Sequence, residues 1–306
     1  MKALSRILLT LCTLLLLAAA AAAQAGPDWS VVERTLGRAG KLQDGVYKVS
    51  FPRTDLRVRM GRTPVLAAAA LGSWVAFREE GTGMTTAFRR DNADADAGTA
   101  VVADGDLVLL EPEVNGVISA LVEHGIEVSA VHNHLTGEQP EVLYVHFFAR
   151  GELGKITQGL KAALNATATP TGPAAPSMEA LTLDRKTIEA EMGKPGTVNG
   201  AVLAFSFPRK HAIAMHGATL APAMGMATAI NFQPSPAGVA ATGDFVLREA
   251  EVNPVIAALR AGGVKMTAVH NHLLDDDPHT VFVHFWAEGN PEPVAKALRE
   301  ALDHVP

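Results

Sequence analysis

The sequence repeats itself, and that restricts the fold more than any other feature. Glu111 to Gly151 aligns without a gap on Glu249 to Gly289, at an offset of 138, with 21 identities in 41 positions. Shorter echoes lie upstream. Ser50-Phe51-Pro52-Arg53 matches Ser206-Phe207-Pro208-Arg209, and Gly105-Asp106 matches Gly243-Asp244. The chain therefore reads as a first repeat unit over 26–165 and a second over 183–306, joined by 166–182. That joining stretch begins Ala166 to Ser177, rich in Ala, Thr, Pro and Gly, which is a linker composition. A length of 306 residues independently favours about two domains.

Residues 1–25 stand apart. Lys2 and Arg6 precede an apolar run from Ile7 to Leu17, and Ala23-Gln24-Ala25 fits the small-x-small pattern of a signal-peptidase site. The run is short for a membrane span and is followed at once by Gly26-Pro27-Asp28. The expectation is a cleaved signal peptide, a periplasmic or extracellular location, and no membrane span afterwards. Cleavage removes Lys2 and Arg6 and takes the formal charge from −6 to −8. Such an acidic chain is not expected to bind nucleic acid, which needs a basic face. The single cysteine, Cys12, lies in the leader, after a Leu11 that is bulky for a lipid-attachment site. A disulfide scaffold, thiolate catalysis and Cys-ligated zinc are excluded from the mature chain.

Each unit reads as α+β, a mainly antiparallel sheet with packed helices. Val31 to Leu42 and Lys186 to Met192 are expected to open the units as helices. Val46 to Phe51 and Ala201 to Phe207 are strand-like. Val114 to His124 and Pro254 to Ala261 carry apolar residues at helical spacing, with Asn115 and Asn253 as expected helix starts. A strand pair follows in each unit, Glu127 to Leu135 with Val142 to Ala149, and Lys265 to Leu273 with Thr280 to Ala287. Helices over Leu153 to Leu164 and Pro293 to Leu302 close the units.

Six of the eleven histidines fall in this duplicated hairpin. His132, His134 and His146 form a His-x-His…His pattern in the first unit; His270, His272 and His284 repeat it in the second. Residues i and i+2 of a strand share a face, and an even register slip puts the third imidazole on that face too. Three converging imidazoles suit a transition metal, zinc or copper first and ferrous iron as well. A hydrogen-bonded polar network and a metal-free acid–base site are the alternatives. Glu113 and Glu251, with Glu111 and Glu249, are available as a fourth ligand or as a general base; the competing role is to complement a helix N-terminus. Tyr144, Phe148, Phe282 and Trp286 lie on the histidine face, as pocket walls or as core. Arg53 and Arg209 are candidates to clamp a carboxylate or phosphate, or to form surface ion pairs. His211 and His216 with Met215, Met224 and Met226 occur only in the second unit, as a copper-type cluster or as core filling. No nucleophile elbow, phosphate loop or dinucleotide fingerprint is present.

Several segments together resemble the LppY/LpqO family of bacterial secreted proteins and lipoproteins. In the first unit these are Tyr47 to Leu56, Gly105 to Leu109, Glu113-Val114-Asn115, Ala130 to Leu135 and Val145-His146-Phe147. In the second they are Phe207-Pro208-Arg209, Gly243 to Leu247, Glu251 to Pro254, Ala268 to Leu273 and His284 to Gly289. The likeness spans nearly all of the mature chain as a tandem pair, with His211 departing where the first unit has Asp55. It implies the unit boundaries and an exported location, and no activity. The functions that remain are metal binding or handling at the cell envelope, metal-dependent hydrolysis at a three-histidine site, and a non-catalytic binding module with a structural histidine network.

Overall fold

The computed structural model describes residues 26–80, 100–173 and 179–306. Residues 1–25, the expected leader with Cys12, lie outside them. Each unit folds around one antiparallel six-stranded sheet. In the first unit the strands are β1 (Lys41–Gln43), β2 (Val46–Pro52), β3 (Gly72–Glu79), β4 (Ala100–Leu109), β5 (Glu127–His132) and β6 (Leu143–Glu152). They lie in the order β1-β2-β3-β4-β6-β5. In the second unit β7 (Thr197–Asn199), β8 (Val202–Pro208), β9 (Ala227–Ser235), β10 (Gly238–Arg248), β11 (Lys265–His270) and β12 (Thr280–Gly289) repeat that order. The edge strands β5 and β11 carry the first histidine of each pattern.

Alternation along the strands sorts the side chains into two layers. On one face of the first sheet Val49, Phe51, Val75, Phe77, Leu107, Val145 and Phe147 pack against α1 (Ser30–Leu36), α2 (Glu111–Glu123) and α3 (Leu153–Asn165). The second sheet buries the matching face under α4 (Arg185–Met192), α5 (Glu249–Ala261) and α6 (Pro291–Leu302). The other faces meet each other. Val46, Ala76, Val102 and Phe148 of the first unit share a core with Ile213, Met215, Val246 and Phe282 of the second. Val58, Val108 and Tyr144 share another with Ala240 and Trp286. The result is four layers, helices outside and two sheets inside, and the units share cores rather than a sheet.

Each unit also reaches across. Arg59–Met60, Thr63–Pro64 and Glu138–Gln139 form a small sheet whose neighbours bond to the second unit. Gln233 donates to the Pro64 carbonyl at 2.6 Å and accepts from the Leu66 amide at 2.9 Å. The reciprocal small sheet joins Ile213–Met215, Ala218–Leu220 and Asp276–Asp277. Met215, Met224 and Met226 sit in the shared apolar core beside it, so of a copper-type cluster and core filling these methionines take the second. His216 instead meets Glu127 at 3.1 Å and Asp275 at 3.4 Å.

Two expectations are revised in detail. The opening helix ends at Leu36, where Gly37 takes a left-handed conformation (φ 77°), and residues 41–43 turn to strand. The helices expected to start at Asn115 and Asn253 start at Glu111 and Glu249, placing Pro254 inside α5. The reason lies at the N-termini, where the Glu113 carboxylate accepts the Leu110 amide at 2.9 Å and Glu251 accepts the Arg248 amide at 2.8 Å. A glutamate at the third position satisfies an orphan amide and extends the helix backwards.

Candidate metal centre

A bulge decides where the histidines point. β5 pairs with β6 as Glu127 to Phe148 and Val128 to Phe147, then shifts at Ser129 so that Ala130 faces His146 and His132 faces Tyr144. Without the extra residue His132 would lie on the face opposite His146, because side-chain direction alternates at every residue. β11 and β12 repeat the device at Thr267, with Ala268 opposite His284 and His270 opposite Phe282. Both hairpins therefore aim their imidazoles at the inter-sheet layer.

There the two sets merge. The His132 and His270 rings stack at 3.6 Å between centroids, His146 and His272 at 3.8 Å, and His134 and His284 at 4.0 Å. Each close pair takes one ring from each unit. Candidate ligand nitrogens of His132, His134, His146 and His272 all lie within 4.8 Å of one another, and so do those of His134, His270, His272 and His284. Each group holds three histidines of one unit and one of the other, and His134 and His272 belong to both. Tyr144 stacks on His134 at 3.5 Å and Phe282 on His272 at 3.6 Å, so these aromatics fix ring orientation from behind.

The hydrogen bonding is incomplete. Among the described residues, both ring nitrogens of His132, and the Nε2 atoms of His134, His146 and His270, are buried without a partner. The contact between His272 Nε2 and His284 Nε2, 3.3 Å, joins two nitrogens of the cluster itself. A buried polar atom with no partner costs about 1–3 kcal/mol, a cost that a metal ion or a water shared among these nitrogens would offset. Burial, then mutual repulsion, holds the rings below the ordinary imidazole value. His132 falls to about 3, and His134, His146, His272 and His284 lie well below. Neutral rings with free lone pairs are the form that ligates a metal.

Carboxylates back the cluster from the next strands. Asp106 on β4 faces His146, and Asp244 on β10 faces His284. Asp106 is 5% exposed, its Oδ1 has no partner, and it lies 3.8 Å from His146 Nε2. Burial, then Asp244 and Asp104, pushes the Asp106 carboxyl far up. Burial raises Asp104 to about 8 and Asp244 to about 7. Burial also lowers Lys48, beside them, to about 8. Sequence reasoning missed these aspartates, although a signal existed, since Gly-Asp recurs at the repeat offset. The glycine is required because a Cβ at Gly105 would sit 2.3 Å from Phe147 and one at Gly243 1.9 Å from the Ala229 carbonyl oxygen.

Glu113 and Glu251 are placed elsewhere. Glu113 binds the fully buried Arg53 at 2.7 Å, and Arg53 also holds Asp55 at 2.9 Å. Glu251 binds Arg209 at 2.8 Å. For Glu113, burial opposes ionisation, but the Arg53 bond and the Ala168 and Leu110 amides outweigh it and keep its carboxyl below the ordinary range. The two arginines thus form buried ion pairs with the chain's own glutamates, neither a ligand clamp nor a surface pair, and both glutamates cap helices. The Ala168 bond, with Arg38 bonds to the Pro170 and Gly172 carbonyls, also lays the start of the linker on the first unit.

A pair of like α+β units enclosing an all-histidine cluster defines a duplicated protein with a candidate metal site at its internal interface. The chain belongs to the family described as a Domain of Unknown Function (DUF1259), whose sequence profile matches residues 30–166 and 186–304. No curated protein matches the chain. Among solved structures it is matched by a trimeric bacterial microcompartment shell protein, PduB, at 10% identity over 87% of this chain and 90% of that one. The TM-score is 0.21. Among the described residues no helix is long and apolar enough to cross a membrane.

Proposed function

We propose that this is an exported cell-envelope protein that binds a transition metal, zinc or copper, in a histidine centre closed between its two units. One observation carries the reading: six imidazoles from both units form two overlapping four-histidine groups, with five buried ring nitrogens lacking partners. The donor set fits. Imidazole nitrogen favours zinc and copper, whereas magnesium and calcium take oxygen ligands. Four protein ligands close a zinc coordination sphere, which suits holding a metal better than activating water. For the hydrolytic alternative, Glu113 and Glu251 are poorly disposed as general bases, since Arg53 and Arg209 engage them. The reading of residues 1–25 as a secretory leader, the absence of cysteine after Cys12, and the resemblance to LppY/LpqO proteins support export.

Elemental analysis of untagged protein purified from its native compartment tests the centre. Stoichiometric zinc or copper is expected, lost when His132, His134 and His146 are replaced together by alanine. Protein without metal, whose melting is unmoved by added Zn²⁺ or Cu²⁺, overturns it. Fractionation with N-terminal sequencing tests export, the expected first residue being Gly26.

A further inference from the structure

The histidine cluster is not uniformly enclosed. His146, His272 and His284 are 3–5% exposed, while His132 and His270 are only partly buried. These two rings, stacked at 3.6 Å, line one open cavity of about 650 Å³ between the edge strands β5 and β11. Glu138 and Glu141, from the turn that follows β5, line the same cavity, and among the described residues no lysine or arginine does. Asn133 holds the Glu141 carboxylate there through a 2.9 Å bond from its Nδ2. At the rim, Lys265 donates to the Thr136 carbonyl at 2.8 Å, and Thr136 donates to the Thr267 carbonyl at 2.6 Å, so the turn is tied to β11 across the unit boundary.

We propose that this cavity is the loading route of the metal centre, in which Glu141 and Glu138 attract a hydrated divalent cation and the His132–His270 pair takes it from water into the buried nitrogens. The proposal rests on the metal-centre reading. A cleft lined by one sign of charge raises the local concentration of the opposite ion and the on-rate, by an amount that falls with salt. With Glu138 and Glu141 as the charged groups that line it, the cavity selects a cation and disfavours a phosphate or carboxylate ligand. The unpartnered nitrogens of His132 give the arriving ion its first protein donors. The first unit's turn supplies both carboxylates of this cavity, whereas the matching turn of the second unit, Asp275 to His279, does not line it and has Asp275 and Asp276 engaged by His216, His279 and Thr280, so loading is one-sided although the centre is nearly symmetric.

Stopped-flow uptake of Co²⁺, followed by its visible absorption in a nitrogen ligand field, tests the route in full-length protein. Glu141 is exposed, so its substitution spares the fold. In 10 mM salt Glu141→Gln should slow uptake about threefold and Glu141→Lys about tenfold, with both converging on the parent near 1 M salt. The final amplitude and stoichiometry should be unchanged. Glu33→Lys, on the exposed side of α1, makes the same charge change as Glu141→Lys away from the cavity and should load at the parent rate. If Glu141→Lys loads as fast as Glu33→Lys, the route is overturned while the centre stands. If no protein takes up Co²⁺ at any time, the centre is refuted and the route falls with it.

Discussion

Replacing His134 by leucine separates a metal centre from a structural histidine network, because the two predict opposite signs. His134 belongs to both four-histidine groups, and its Nε2 is buried without a partner. Leucine has similar bulk and removes that orphan. The metal-free protein should therefore gain about 1–3 kcal/mol, or roughly 2–12 °C in Tm at about 2–4 °C per kcal/mol. The metal-bound protein should lose most of what its ion contributes. Four-ligand zinc sites are worth about 10–16 kcal/mol, so one ligand contributes about 3 kcal/mol, or roughly a hundredfold in Kd. At a free-metal level 1,000 times the parent Kd, binding adds about 4.1 kcal/mol to stability; after a hundredfold weakening it adds about 1.4 kcal/mol. Calorimetric melting of metal-free and Zn²⁺-loaded parent and variant should show the metal-free variant above its parent and the Zn²⁺-induced gain smaller by about 2.7 kcal/mol. His304→Leu, in the C-terminal tail, should change neither difference. A metal-free variant that melts lower than the parent, with its Zn²⁺ response intact, would show that the imidazoles serve one another rather than a metal.

The other predictions concern pH, the buried ion pairs and cooperativity. In the metal-free protein the depressed histidines give stability that is full above about pH 6.5, their unfolded value, and is lost as pH falls toward the folded value of about 3 for His132. Asp104 and Asp244, raised to about 8 and about 7, act oppositely: their contribution is complete below the unfolded carboxyl range and is lost as pH climbs through 7 to 8. The metal-free Tm should therefore peak near pH 6.5 and decline on both sides, and a flat profile between pH 5 and 6.5 contradicts the burial described. Arg53→Met strands Asp55 and Glu113 and should cost about 3–5 kcal/mol in urea titrations. Arg209→Met should cost less, because His211 stands where the first unit has Asp55, and both variants should still bind metal at low temperature. Since the inter-sheet cores draw on both units, unfolding should be one transition by tryptophan fluorescence and far-UV circular dichroism; two separated transitions would show the units to be independent.

Much of this was legible in the sequence because the relevant physics is local. The hairpin, the closing helix and the histidine spacing recur at one offset, and strand alternation alone brings His132 and His134 to one side. The small errors have local causes too. Asparagine and proline at 253–254 imitate a helix start, but a glutamate two residues earlier caps the helix upstream. The long pairs β3–β4 and β9–β10, which set the centre of each sheet, were less visible. Their Gly-Asp steps place a small polar dipeptide in the middle of a buried strand, which locally reads as a break.

What alternation could not supply is the partner across the layer. One unit's pattern offers three imidazoles, and the sequence argument stopped at two separate three-histidine sites. The fold brings the two sets together because each sheet has a second face that the three outer helices of its own unit leave uncovered. That face must be buried, and the apolar surface available to bury it is the same face of the repeated unit. Duplication thus does more than copy a ligand set: a near-twofold pairing of like faces carries each His-x-His strand to the other's third histidine, so the second His of each pattern is shared. A metal held this way bridges the units, and the bridge needs both copies intact. This predicts an asymmetry in tolerance, with His134 and His272 less replaceable than His132 and His284, because the former pair serves both groups and each of the latter serves one.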